Sequence, residues 1–230
     1  MEFTITLIIV IITSLVSIGA FSNQRITDDL IFYPPAVNRG QWYRFFSCGL
    51  IHADYLHLIF NMYALYSFGR NVETGLMYRT ETGGLVQDNG FLQLFGETTG
   101  KLLYLLMYVL ALGVCLVPTY IKHRHDYHYR SLGASGAVSA VIFAGMLLEP
   151  RLGVGLIFIP GIHIPGYIFA PLFLVISHFL ARRGRDNINH SAHIWGAVFG
   201  IVFVIVMCLL LADHNPIESF IESVRMDTGL

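Results

Sequence analysis

Charged residues are absent from six long stretches of this chain, and that pattern predicts helices that span a membrane. A random scatter of the 14 basic and 15 acidic residues would leave gaps that average under about ten residues. A bilayer span needs about 20 mostly apolar residues to cross roughly 30 Å of hydrocarbon. The predicted spans lie at about 4–21, 55–69, 102–121, 133–148, 167–181 and 190–211.

The connections between these spans carry most of the charge. Residues 22–50 place Trp42, Arg44 and Phe45 close together, a mixture of aromatic and charged side chains that suits a structured loop at the membrane interface. We expect residues 70–101 to form an exposed connection and the polar tail after residue 211 to fray. The fold predicted from this pattern is an all-α membrane protein, a six-helix bundle in a single domain over residues 1–230 with its core at about 42–211.

Composition agrees with a membrane protein and excludes a nucleic-acid binder. Apolar residues make up 55% of the chain and charged residues 13%, about half the usual share for a soluble domain. The formal net charge of −1 leaves no basic stripe for nucleic acid. We expect no cofactor and no metal, because the cysteines lack ligand spacing and are typical of buried free thiols, and because histidines in an exposed basic loop are more often solvated than metal-bound. These residues are Cys48, Cys115, Cys208, His123, His125 and His128.

Polar side chains within the predicted spans are the candidates for chemistry, because such groups are costly at bilayer depth. His57 and Asn61 are four residues apart and share one face of the second span. Ser135 begins the fourth span and His193 lies in the sixth. Each of them alone could be an interhelical hydrogen bond that holds the bundle together. Together they supply a nucleophile, a base and hydrogen-bond donors for an oxyanion, which is the set that acyl transfer requires.

Small residues recur every four positions in the fourth and sixth spans, a spacing that lets two helix backbones approach closely. If the two stripes face each other, Ser135 and His193 come together near one end of the helix pair. Packing without chemistry is the alternative explanation for the stripes. They consist of Gly136, Ala140 and Ala144 on the fourth span and of Ala192, Gly196 and Gly200 on the sixth.

Four motifs on successive parts of the chain resemble those of the rhomboid intramembrane serine proteases, and Glu73 after the second span also fits that family. A lone G-x-S-G is weak, whereas the combination on the correct spans is specific. The motifs are Trp42-Tyr-Arg44, His52-x4-His57-x3-Asn61, Gly133-x-Ser135-Gly136 and Ala192-His193-x2-Gly196-x3-Gly200.

The resemblance implies a role for each matching residue. Ser135 would be the nucleophile and His193 the general base, with His57, Asn61 and the Ser135 backbone N–H as the oxyanion hole. His52 would support a loop, and Trp42 and Arg44 would anchor the first loop at the interface. Structural roles would fall to Gly133, Gly136, Gly196 and Gly200.

One position departs from the family pattern. Many rhomboids carry an aromatic residue four positions after the nucleophile, where it stacks on the catalytic histidine, and here that residue is Ser139. Trp195 or another aromatic residue would have to pack on His193 instead.

The predicted function is therefore an intramembrane serine endopeptidase that cleaves single-span transmembrane proteins within the lipid bilayer. We predict a Ser-His dyad because the 26 residues around His193 contain no carboxylate. The alternatives are a non-catalytic rhomboid-like protein that binds transmembrane clients and a small transporter, although no pair of broken helices supports the latter. The expected location is the bacterial cytoplasmic (inner) membrane.

Orientation is where the charge pattern and the resemblance disagree. The family arrangement puts five Lys and Arg residues on the cytoplasmic side and nine on the other side, against the usual positive-inside bias. We favour the orientation that the resemblance implies, because arginines in the loops around the site can serve structural roles.

Overall fold

The chain folds into an all-helical membrane bundle, which confirms the predicted fold class. The structure is a computed structural model and describes residues 4–79, 85–87, 89–155, 163–183 and 188–229. Its helices are, in chain order, α1 (Ile5–Ser22), α2 (Gln24–Leu30), α3 (Pro34–Val37), α4 (Arg44–Ser47), α5 (Tyr55–Thr74), α6 (Phe91–Phe95), α7 (Glu97–Val114), α8 (Val117–His123), α9 (Ser135–Leu148), α10 (Gly166–Arg183), α11 (His190–Leu211) and α12 (Pro216–Thr228).

Strands are confined to two short antiparallel pairs in the described connections. Strand β1 (Met77–Arg79) pairs with β2 (Leu85–Gln87), and β3 (Gly153–Gly155) pairs with β4 (His163–Pro165). The first loop is structured as predicted, because α2, α3, α4 and a 3₁₀ turn at Cys48–Leu50 fill it.

The six predicted spans correspond to α1, α5, α7 with α8, α9, α10 and α11. Among the described residues, three helical segments are long and apolar enough to cross a membrane: Ile5–Ser22, Glu97–His123 and His190–Leu211. The helix α9 has only 14 residues, or about 21 Å at 1.5 Å per residue, so it cannot reach both surfaces of a hydrocarbon core about 30 Å thick. It packs between α11, α5 and α7 at the centre of the bundle.

The close pairing of α9 with α11 confirms that the two small-residue stripes face each other. A Cβ atom on Gly196 would clash with the carbonyl oxygen of Gly136, and one on Gly200 would clash with the carbonyl oxygen of Ala140. Any side chain at these two glycines would push the helices apart.

Helix α5 runs five residues beyond the predicted end of the second span, from residue 69 to Thr74, and this extension contains Glu73. Its side chain is fully buried. The carboxylate accepts the backbone N–H groups of Ile5 at 2.7 Å and of Thr6 at 2.9 Å, and it accepts the Thr6 hydroxyl at 2.8 Å. It thereby satisfies N–H groups that the first turn of α1 leaves without partners inside the helix. Glu73 therefore joins the end of α5 to the start of α1.

The prediction of an exposed connection over residues 70–101 is wrong for α6. Phe91 is fully buried, and its ring lies 6.2 Å from the Tyr104 ring and 6.5 Å from the Phe203 ring, measured between centroids. Burial of this aromatic side chain outweighs the polar, glycine-rich character of its neighbours. Residues 80–84 and 88 of the same connection lie outside the described residues.

The prediction of a frayed tail is also wrong, because residues 216–228 form α12. The Asn215 side chain accepts the N–H groups of Ile217 at 3.2 Å and Glu218 at 3.4 Å, and Pro216 begins the helix. Asparagine followed by proline is a helix-start signal in the sequence. A hydrogen bond from the Tyr167 hydroxyl to Asp227 Oδ2, 2.7 Å long, ties α12 to the first turn of α10.

The three cysteines are buried and free, as predicted.

Candidate active site

Ser135 and His193 lie side by side at one end of the α9–α11 pair. The distance from His193 Nε2 to Ser135 Oγ is 2.7 Å, although the two residues are 58 positions apart in the chain. This separation is within the hydrogen-bond reach that transfer of the hydroxyl proton to the imidazole requires. The helix pairing that the small-residue stripes predict is what brings them together.

The turn before Ser135 is shaped by Gly133. Its φ of +110° lies in the region that favours glycine, and its N–H donates to the Cys48 carbonyl at 2.9 Å. A Cβ atom there would come within 2.8 Å of His57 Cε1. Glycine therefore lets the turn before Ser135 lie directly against the His57 ring.

The start of α11 is capped by Asn189, which was not among the site residues predicted from sequence. Its side-chain oxygen accepts the Ala192 N–H at 3.1 Å, as an N-cap does. The same side chain contacts the Thr119 hydroxyl on α8, with Nδ2 at 3.1 Å from Thr119 Oγ1. An asparagine four residues before His193 was a readable cap signal, whereas its partner Thr119 was not.

The His193 ring packs against Phe173 of α10, at 6.1 Å between centroids and 31° between planes. His190 approaches it edge-on at 5.7 Å. Trp195, the substitute suggested from sequence, is instead 47% exposed. The hydroxyl of Ser139 donates to the Ser135 carbonyl at 2.9 Å, so this position supports the α9 backbone rather than the ring. No sequence signal pointed to Phe173, because α10 supplies it from a separate part of the chain.

His57 and Asn61 line the same cavity as Ser135 and His193. One N–H of the Asn61 side chain donates to the His57 carbonyl at 2.9 Å. The Ala53 N–H donates to His57 Nδ1 at 3.4 Å, so the proton of a neutral His57 ring is on Nε2. That nitrogen lies next to Gly133, two residues before Ser135.

His52 is buried and connects three parts of the chain. The Ser17 hydroxyl donates to the Leu50 carbonyl at 2.9 Å, so it accepts a hydrogen bond from His52 Nδ1, also at 2.9 Å. His52 Nε2 in turn accepts the Ala134 N–H at 3.4 Å. Burial, with a smaller contribution from nearby His57, lowers the pKa of His52 to about 3. A neutral His52 therefore supports the residue directly before Ser135.

Trp42 and Arg44 belong to the first loop, and within the described residues neither lines the cavity. The Arg44 guanidinium is buried and donates to the carbonyl groups of Asp28 at 2.8 Å and Ile31 at 2.7 Å. Trp42 is 58% exposed and lies parallel to the Phe45 ring at 6.1 Å. Arg44 organises the loop from inside, while Trp42 is left on its surface.

The cavity has a volume of about 580 Å³ and opens around the Ser135–His193 pair. Apolar side chains such as Leu56 and Phe60 line it together with the polar groups above. Ser135 and His193 are both partly exposed in this cavity rather than enclosed in the core. Among the described residues, no group of three or more His, Cys, Asp or Glu side chains could hold a metal ion.

Comparison with known proteins identifies one family. The sequence profile described as Rhomboid domain matches residues 39–210, which is more than half of the chain. "RHOMBOID-like protein 12, mitochondrial" from Arabidopsis thaliana is 25% identical over 186 residues, 79% of this chain and 51% of that protein. "Putative rhomboid protease YdcA" from Bacillus subtilis (strain 168) is 26% identical over 188 residues, 81% of this chain and 77% of that protein. The chain thus spans about half the length of the first relative.

Proposed function

The chain belongs to the rhomboid family, and from this premise we propose that it is an intramembrane serine endopeptidase. Its substrates are single-span transmembrane proteins, and its location is a bacterial cytoplasmic membrane. The observation that carries the proposal is the 2.7 Å separation of His193 Nε2 and Ser135 Oγ within a cavity at one end of the bundle.

In this mechanism His193 accepts the proton of the Ser135 hydroxyl as Oγ attacks the carbonyl carbon of the substrate peptide bond. The resulting tetrahedral intermediate collapses when the protonated His193 donates that proton to the departing amine. A water molecule then attacks the acyl-enzyme, again with His193 as the base, and releases the second product. A neutral imidazole suits both steps near pH 7, because its ordinary pKa is close to that pH.

The negative charge on the former carbonyl oxygen is stabilised by three donors in this proposal. They are the His57 Nε2–H, the Asn61 amide and the Ser135 backbone N–H. The last belongs to the first turn of α9, whose N–H groups carry the positive end of the helix dipole. Electrostatic stabilisation of this kind is usually the largest single contribution to catalysis.

Phe173 and His190 both contact the His193 ring and contribute to the orientation of the proposed base. The apolar part of the cavity suits the side chains of a transmembrane segment. That segment must unwind locally, because a peptide bond within a helix does not present its carbonyl carbon to Ser135. Small or helix-breaking residues near the cleaved bond lower the cost of this step.

The test is turnover of a panel of single-span substrates by the purified protein in liposomes, beside Ser135→Ala as the inactive control. We expect at least one substrate to be cut within its transmembrane or adjoining segment, and only by the parent protein. Binding of substrates with no cleavage by the parent would favour the non-catalytic client binder. Equal cleavage by Ser135→Ala would show that another group performs the reaction.

A further inference from the structure

Arg130 belongs to the catalytic cavity but has no role in the proposed catalytic mechanism. The residue lines the cavity that also holds Ser135 and His193. We infer that the protein prefers substrates with an acidic residue close to the cleaved bond, and that Arg130 recognises this carboxylate. The inference rests on the proposed protease function and adds a substrate class to it.

The Arg130 guanidinium is available to a ligand. The residue is exposed, and its Cζ lies 4.6 Å from the centroid of the Tyr33 ring. A guanidinium stacked on a ring uses its face and leaves its N–H edge free for a carboxylate, which it can bind with two parallel hydrogen bonds. Among the described residues, no Asp or Glu lies within ion-pair distance of Arg130.

The backbone directly after Arg130 is fixed by hydrogen bonds. Its neighbour Ser131 exchanges two backbone hydrogen bonds with Phe32, 3.0 and 3.1 Å long. The Gly133 N–H is held by the Cys48 carbonyl at 2.9 Å. The five steps from Arg130 to Ser135 cover at most about 17 Å of extended chain. Arg130 can therefore reach a substrate residue within about five positions of the bond that Ser135 attacks.

The other charged residues of the cavity and of the connection before Arg130 also favour an acidic ligand. Asp54 lines the cavity too, but its carboxylate caps α5 by accepting the His57 N–H at 2.7 Å. The connection from residue 122 to residue 130 carries Lys122, Arg124 and Arg130 against Asp126 as its single acid. Hydrogen bonds from the His128 N–H and the His123 ring lower the pKa of Asp126. With the histidines neutral, this connection has a net charge of +2 at pH 7 and attracts acidic segments of a substrate.

The experiment compares substrates that differ at one position. The cleavage site of one substrate is mapped first, and then Glu, Gln or Lys is placed in turn at each of the five positions on either side of it. For the parent protein we expect kcat/KM to be about three- to tenfold higher with Glu than with Gln at the best position, because a partly exposed charged pair contributes in this range. Lys at that position should be the poorest, and the preference should weaken with added salt.

Variants of Arg130 separate this preference from a general effect of charge. Arg130→Gln should bring the Glu-to-Gln ratio of kcat/KM close to one, and Arg130→Glu should favour Lys over Glu. The matched control is Arg39→Gln, which removes an exposed cation from the same end of the bundle but does not line the cavity. The control should keep the parental ratio.

The outcomes distinguish this inference from the function on which it rests. Cleavage with no charge preference in the parent, or a preference unchanged in Arg130→Gln, overturns the role of Arg130 and leaves the protease intact. Absence of cleavage for every substrate overturns both.

Discussion

Two regions of this bundle contain polar side chains and use them in opposite ways. At the C-terminal end of α5, the Glu73 carboxylate is fully buried and accepts three hydrogen bonds from the first turn of α1. At the other end of the bundle, Ser135 and His193 are half-buried and line a cavity of about 580 Å³.

This contrast separates a structural use of a polar group from the catalytic use that we propose for Ser135 and His193. A charge removed from solvent must have its hydrogen bonds satisfied by the protein, and such a site has no capacity left for a substrate. A catalytic pair must keep its reacting atoms accessible to water and to a peptide bond. The sequence alone does not distinguish these cases, because both present a polar residue beside an apolar run.

The largest predicted effect is a loss of activity without a loss of stability, caused by a substitution in the proposed catalytic pair. His193→Ala removes the proposed base, and removing one member of such a pair typically lowers kcat about 10⁴-fold or more. The melting temperature should stay close to that of the parent, because the His193 ring is half-buried and its truncation leaves the α9–α11 backbone contact in place. Cleavage rates and thermal melts of the same preparation test this. His178→Ala, at an exposed histidine of α10, is the control and should cut at the parental rate.

The second prediction distinguishes a proposed oxyanion donor from the proposed nucleophile and base. Asn61→Ala should lower kcat about 10²- to 10³-fold, because one oxyanion donor is lost, while the nucleophile and base are intact. The control is Asn71→Ala, ten residues further along α5 and away from the cavity, for which we expect little change. A parental cleavage rate for Asn61→Ala would mean that this amide only packs against the His57 carbonyl.

The third prediction concerns the buried Glu73 carboxylate and its effect on stability. Glu73→Gln keeps the size of the side chain but removes the charge and one acceptor, and it should lower the free energy of unfolding by about 2–4 kcal/mol. The activity per folded molecule should remain near the parental value, because Glu73 does not line the cavity. Denaturant unfolding in detergent measures the first quantity and active-site titration the second. Glu97→Gln, whose side chain is 77% exposed at the same end, should leave both unchanged.

The smallest effect is a pH dependence of stability from His52. Its pKa is lowered from 6.5 to about 3 in the folded protein, so the unfolded chain binds a proton that the folded chain does not between these values. Above pH 6.5 this difference has no effect on stability, and the free energy of unfolding falls as the pH decreases from 6.5 toward 3. We expect the melting temperature to drop by about 5 °C or more from pH 7 to pH 4. In His52→Gln this drop should be smaller, whereas His125→Gln, in an exposed loop, should retain it.

Much of this architecture could be predicted from sequence because it depends on local patterns. The apolar runs locate the spans, and the small residues at Gly196 and Gly200 predict which helix faces meet. The features that were missed depend on contacts between distant segments. Phe91 enters the core despite polar neighbours, and Phe173 packs on His193 from a helix with no motif of its own. The capping signal at Asn215 was present in the sequence but was outweighed by the polarity of the tail.

Covalent labelling tests the proposal that Ser135 is a nucleophile activated by His193. The purified protein in detergent is treated with a fluorophosphonate, and the modified residue is identified by mass spectrometry. We expect a single adduct on Ser135 that forms at the parental rate in Glu73→Gln and at least about 10³-fold more slowly in His193→Ala. An adduct on another residue, or equal labelling of Ser135 in His193→Ala, would contradict it.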